Sequence, residues 1–96
     1  MTIRLRRLCH IVVVLTSAAR HGLKRLDGPR REIVDGIIAN LGSRSRLPRD
    51  CVSIRSNPRL RRISRRDVRL IAVADDGPIL VVVGIETRST TTYRRY

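Results

Sequence analysis

The chain has 96 residues, the length of one domain, and can bury one small core. Twenty Arg and one Lys stand against eight acids, a net charge of +13 at pH 7, which points to a polyanionic or acidic partner. With Trp and Phe absent and Tyr93 and Tyr96 the only aromatics, an aromatic-based core is excluded, and no run approaches the roughly 20 apolar residues of a membrane span.

The preference for Arg over Lys has two readings. One is codon usage. The other is the fork of the guanidinium, which pairs with phosphate through two hydrogen bonds. The charge is concentrated: residues 44–69 hold ten Arg and two acids, Asp50 and Asp67, whereas residues 27–35 are nearly balanced. A solvated charged surface is the plain alternative to a binding face.

The start has the outline of a secretory signal, with basic residues 1–7, a mostly apolar stretch 8–15 and small residues 17–19. His10 interrupts that stretch, and its removal would take the first strand from the domain. The expected organisation is a basic N-terminal extension over residues 1–9 and one domain over 10–96. Cys9 and Cys51 form no framework and have no metal-type spacing with His10 or His21, so reduced thiols are expected and neither metal nor cofactor is called for.

Residues 10–16 (HIVVVLT) are β-branched and predict a buried strand. Thr16 and Ser17 offer capping oxygens for a helix over residues 18–26, with Ala19, Leu23 and Leu26 on one face. Asp27-Gly28-Pro29 breaks the chain, and Pro29 suits the first turn of a second helix. Ile33, Val34, Ile37, Ile38 and Leu41 give that helix its apolar face. Gly42 fits the position just past its end, and Gly36 invites a close helix–helix contact.

Residues 43–57 read as irregular, with a short extended piece at 52–54. Residues 60–65 (LRRISR) and 68–74 (VRLIAVA) predict strands, and residues 75–78 (DDGP) a tight turn. The nearly all-apolar residues 79–85 (ILVVVGI) predict a central strand covered on both faces, completing a hairpin with 68–74. The Thr-rich residues 87–95 suggest an edge strand. The order is strand, two helices, then three or four strands. The helices must pack on one face of the sheet, giving an α+β domain with a mainly antiparallel sheet of four to five strands.

That order, with VVVLTSAARHGLKRLD, GPRREIVDGIIANLG and RRISRRDVRLIAVADDGPILVVVGIETRSTTTY in sequence, resembles the RelE/ParE superfamily of bacterial toxins. The resemblance runs over residues 10–93 and rests on order and spacing, with no single diagnostic motif. It implies two helices on an antiparallel sheet, in a protein of the bacterial cytoplasm. The RelE-like branch of that superfamily cuts mRNA in the ribosomal A site. The mRNA 2′-hydroxyl attacks the adjacent phosphate and leaves a cyclic phosphate. The ParE-like branch poisons DNA gyrase. Both are silenced by an acidic antitoxin.

For the RelE-like branch, preferred here, the resemblance places Arg62 at an active-site basic position and Arg69 at the Arg of the following strand. Arg88 matches the basic residue after the central strand, and Tyr93 the terminal Tyr that stacks on a base or assists proton transfer. Ser64, on the strand face of Arg62, stands where that branch usually has a second basic residue. Arg65 or Arg66 substitutes there if a bulge shifts the register. Ala72 replaces an aromatic. Arg55, Arg61, Arg65 and Arg66 are further candidates for nucleic-acid contact. Each of these side chains also reads as a solvated or packed strand residue.

Three functions stay open. A ribosome-dependent mRNA endonuclease accords with Arg62, Arg69, Arg88 and Tyr93. A gyrase poison or a non-cleaving relative accords better with Ser64. A general basic nucleic-acid-binding module needs only the charge.

Overall fold

The computed structural model describes residues 10–54, 57–74 and 77–87. The chain runs β1 (Val12–Leu15), α1 (Ser17–Arg25), α2 (Gly28–Gly42), β2 (Cys51–Ile54), β3 (Asn57–Arg65), β4 (Val68–Ala74) and β5 (Ile79–Thr87). The five strands form one sheet in the order β1-β5-β4-β3-β2. Only the β1–β5 pair is parallel. The expected α+β architecture is therefore present, with both helices on one face.

Local chemistry starts each helix where the sequence suggests. The Thr16 hydroxyl accepts the Ala19 N–H at 3.2 Å and caps α1. The Asp27 carboxylate accepts the Arg30 N–H at 3.0 Å and caps α2, with Pro29 in its opening turn. The two helices are also tied to each other. Arg31 of α2 donates to the Lys24 and Leu26 carbonyls at 3.2 Å each, satisfying the orphan end of α1.

The core lies between the helices and one sheet face. Val34, Ile37 and Leu41 of α2 and Ala19 of α1 are buried against that face. Across the strands, Cys51, Ile63, Leu70 and Ile85 stand in one paired row, all buried. Buried aliphatic side chains contribute about 1.5–3 kcal/mol each relative to exposure, so this row and its helical cover carry most of the driving force for folding. Burial also pushes the Cys51 thiol above its usual pKa, with the Arg61 charge acting in the other direction. A raised thiol is a poor nucleophile, so Cys51 belongs to the packing.

Four expectations from sequence need correction. Among the described residues β1 is an edge strand, not a buried one: it pairs with β5 alone there, and Val12 and Val14 are 51% and 44% exposed. β5 is flanked by strands on both sides, but helices cover one face only, so Leu80 and Val82 are buried while Val81 and Val83 are half-buried. Gly42 is the last helical residue, followed by Ser43 with ordinary right-handed dihedrals. A Cβ on Gly36 would meet nothing within 4 Å; the close approach is at Gly22 instead. A Cβ on Gly22 would run into the Ile85 carbonyl oxygen, so this glycine lets α1 lie directly on β5. The expected extension over residues 1–9, the Asp75–Asp76 part of the turn and the edge strand beyond Thr87 lie outside the described residues.

One ion-pair cluster joins the start of α2 to the far end of the β3–β4 hairpin. The Arg30 Nε and Nη2 both reach Asp67 Oδ2, at 2.7 and 2.6 Å, and its Nη1 reaches Asp27 Oδ2 at 2.9 Å. The Arg30 hydrogen bond holds the Asp67 carboxyl below the usual carboxylate range. The pair is half exposed, so its main effect is geometric.

Gly22→Ala should destabilise the protein by about 1–3 kcal/mol through overpacking. Gly36→Ala should stabilise it by about 1 kcal/mol through helix propensity. Denaturant unfolding checks both; equal effects at the two positions would contradict the assigned contacts. For Asp67, a depressed folded pKa means the carboxylate stabilises at all pH values above its unfolded titration. That stabilisation is lost as pH falls through the folded value. The melting-temperature gap between the native protein and Asp67→Asn should be constant near neutrality and close in acid; a gap independent of pH would contradict the pairing.

Candidate nucleic-acid interface

The site is built from the β3–β4 hairpin. Pairing runs without a slip from Leu60↔Val73 to Arg65↔Val68, leaving Arg66 and Asp67 as a two-residue turn. Such turns in hairpins require a positive φ at their first central residue. Arg66 supplies it, at φ 53°. The left-handed region costs a residue with a side chain about 1–2 kcal/mol, which a glycine there would avoid.

This register sorts the arginines. With side chains alternating along a strand, Ile63 faces the helices and takes Arg61 and Arg65 to that side. Arg62 and Ser64 point to the opposite, helix-free face. There Ser64 stands directly across from Arg69, and Arg62 across from Ile71. Ile71 is fully buried although no described helix covers that side, so the floor of the face is apolar.

Arg62, Ser64, Arg66 and Arg69 together line a concavity of about 290 Å³. That is near the lower end of the range for small-ligand sites, about 300–1,000 Å³, and suits one charged group rather than a large molecule. The Ser64 Oγ lies buried with no hydrogen-bond partner. Three guanidinium groups around one concavity focus a positive field on a volume of that size. Glu86 stands opposite Arg69 in the β4–β5 register, placing a carboxylate one strand away.

The sequence candidates divide accordingly. Arg62 and Arg69 are brought together. Arg66 joins them through the turn; no bulge is needed. Arg65 turns away and pairs with Asp50, its Nε 3.0 Å from Oδ2. Arg61 also turns to the helix side, beside Cys51. Arg55, Arg88 and Tyr93 lie outside the described residues. Glu86 was missed, because its facing depends on a register irregularity between Ile71 and Ala72 that alternation alone does not reveal.

Chemically, this arrangement can bind and stabilise negative charge on a phosphate. It cannot supply a base from arginine, whose pKa exceeds about 12. Among the described residues, no group of three or more His, Cys, Asp and Glu could hold a metal ion. A larger groove of about 550 Å³ runs between α1 and the end of β5, bordered by His21, Arg25 and Glu86. Its lining is mixed in charge and lacks the convergent arginines of the smaller site.

No family model matches the chain, and no curated protein matches it in sequence. Solved structures do match. The RelBE2 toxin–antitoxin complex of Mycobacterium tuberculosis superposes with a TM-score of 0.70 at 21% identity, over 82% of this chain and 99% of the other. A mutant E. coli toxin RelE in the free state gives 0.68 at 15% identity, over 86% and 87%. The RelB–RelE antitoxin–toxin complex of Methanococcus jannaschii gives 0.69 at 15% identity, over 86% and 98%. At these identities the likeness speaks for the fold, and the fold of this chain is that of the RelE-like toxins.

Proposed function

We propose that this protein is the toxin of a type II toxin–antitoxin system and acts as a ribosome-dependent mRNA endoribonuclease. The observation that carries the reading is the convergence of Arg62, Arg66 and Arg69, with Ser64, on the helix-free face of the sheet. The match to structures described as RelE toxins and RelB–RelE complexes supports it.

The reaction needs three things. The mRNA 2′-hydroxyl must lose its proton, the phosphorane must be stabilised, and the departing 5′-oxygen must gain a proton. Attack of the 2′-oxygen on phosphorus forms one P–O bond and breaks the bond to the 5′-oxygen. The products are a 2′,3′-cyclic phosphate and a free 5′-hydroxyl. Arg62, Arg66 and Arg69 hold the developing charge. Glu86, across from Arg69, and Tyr93 are the candidates to move protons, and Arg88 is a further phosphate contact. No metal or cofactor is required by this scheme.

The partner of the resting state is an acidic antitoxin. The helix-free face offers it both components it needs. Val12, Val14 and Ile79 form an exposed apolar strip at the β1–β5 end, and the arginines lie at the β3–β4 end. Among the described residues β1 is at a sheet edge, a place for an added strand. The protein would act in the bacterial cytoplasm, where mRNA and ribosome are.

A second reading is a gyrase poison or a non-cleaving relative, favoured by Ser64 in place of a second basic strand residue. A third, a general basic nucleic-acid-binding module, rests on the charge alone. One experiment separates the three: express the protein, map transcript 5′ ends and assay gyrase-linked DNA breaks in the same cells. The endonuclease reading expects new 5′ ends within ribosome-bound message and growth arrest relieved by the antitoxin. Arg69→Ala should lower cleavage by about a hundredfold or more, the usual cost of removing one preorganised charge-stabilising donor. DNA breaks without new 5′ ends would establish the gyrase reading, and salt-sensitive binding without toxicity the third.

A further inference from the structure

We propose that Arg30 and Asp67 are positioning residues that lock the hairpin turn so that Arg66 meets the phosphate backbone of single-stranded RNA. The inference rests on the reading of the arginine-lined concavity as an RNA site. Three observations join here. Arg66 occupies a left-handed conformation that its side chain disfavours. Its neighbour Asp67 accepts a hydrogen bond from the Arg30 Nε at 2.7 Å and pairs with the Nη2 of the same guanidinium at 2.6 Å. That guanidinium is itself fixed by Asp27, the cap of α2, at 2.9 Å.

A two-residue turn at the tip of a hairpin has few contacts of its own, and a strained residue in it persists only where its surroundings over-determine the geometry. The Arg30 clasp supplies that constraint. It ties the tip to the N-terminus of α2, which is anchored in the core through Val34, Ile37 and Leu41. Arg66 therefore lines the concavity beside Arg62 and Arg69 although it lies beyond the strand that carries Arg62. Without the clasp, the turn can relax to conformations that carry the Arg66 guanidinium away from the site.

Simple electrostatics predicts the opposite effect of removing Asp67. Asp67→Asn raises the net charge by one and should tighten binding to any polyanion. The clasp predicts weaker binding. This difference in sign makes the test sharp.

The experiment measures affinity of the full chain for a 2′-O-methyl RNA oligonucleotide, which cannot be cleaved, across a range of salt concentrations. Melting temperature is recorded in parallel. Arg66→Ala should weaken binding several-fold and reduce the slope of log K against log salt by about 0.7, one phosphate contact on a single strand. Asp67→Asn should reproduce most of that loss. The Arg66→Ala, Asp67→Asn double variant should bind no worse than Arg66→Ala alone, because both act through one contact. Asp67→Glu, which keeps the carboxylate, should recover binding. Arg30→Gln, which removes the other half of the clasp, should lower the slope like Asp67→Asn. Tighter binding by Asp67→Asn, or losses that add in the double variant, would overturn the clasp while leaving the RNA site intact. Native affinity and slope in Arg66→Ala would overturn both.

Discussion

A turn of only two residues between Arg65 and Val68 fixes which side chains of β3 and β4 share a face, and the site depends on that register. Side chains alternate along a strand, so a slip of one residue would send Arg62 and Ser64 to the helices and bring Ile63 to solvent. The buried row of Cys51, Ile63, Leu70 and Ile85 opposes such a slip, because the helices already cover it. The turn and the core therefore enforce one arrangement from opposite ends. A single strained residue, Arg66, is the local cost of making the connection that short.

From this constraint the two faces acquire different characters. The helix side is aliphatic and closed, with Gly22 admitting α1 directly onto β5. The other side keeps an exposed strip of Val12, Val14 and Ile79 and a cluster of arginines. Such a division suits a small domain. One face is closed by the helices and supplies the stability, and the other carries the exposed strip and the arginines. The basic stretch is itself divided. Arg65 turns to the helix side and pairs with Asp50; Arg62, Arg66 and Arg69 line one concavity on the other face. High net charge alone would not distinguish these groups; the pleat does.

Much of the fold was legible in the sequence because its signals were local. Thr16 caps α1, Asp27-Gly28-Pro29 breaks the chain before α2 with Pro29 in its opening turn, and the apolar residues of α2 lie at helical spacing. The misreadings came from non-local facts. HIVVVLT has the composition of an interior strand, yet among the described strands β1 pairs only with β5, and sequence does not reveal how many neighbours a strand finds. ILVVVGI has the apolarity of a doubly covered strand, yet both helices lie on the same side. Gly36 and Gly22 look alike in sequence, and only the docking of α1 on β5 separates them. Within the site, Arg62 and Arg69 were legible from the resemblance. Arg66 enters by a positive φ in a turn, and Glu86 by a register irregularity in β5; neither follows from alternation.

The proposed RNA phosphate site lies on the helix-free face of the β3–β4 hairpin. In backbone amide NMR during titration with a short 2′-O-methyl RNA, the largest shifts are expected at Arg62, Ser64, Arg66 and Arg69. Shifts confined to the outer side of α1, around Arg20, Lys24 and Arg25, with the hairpin unmoved, would contradict it.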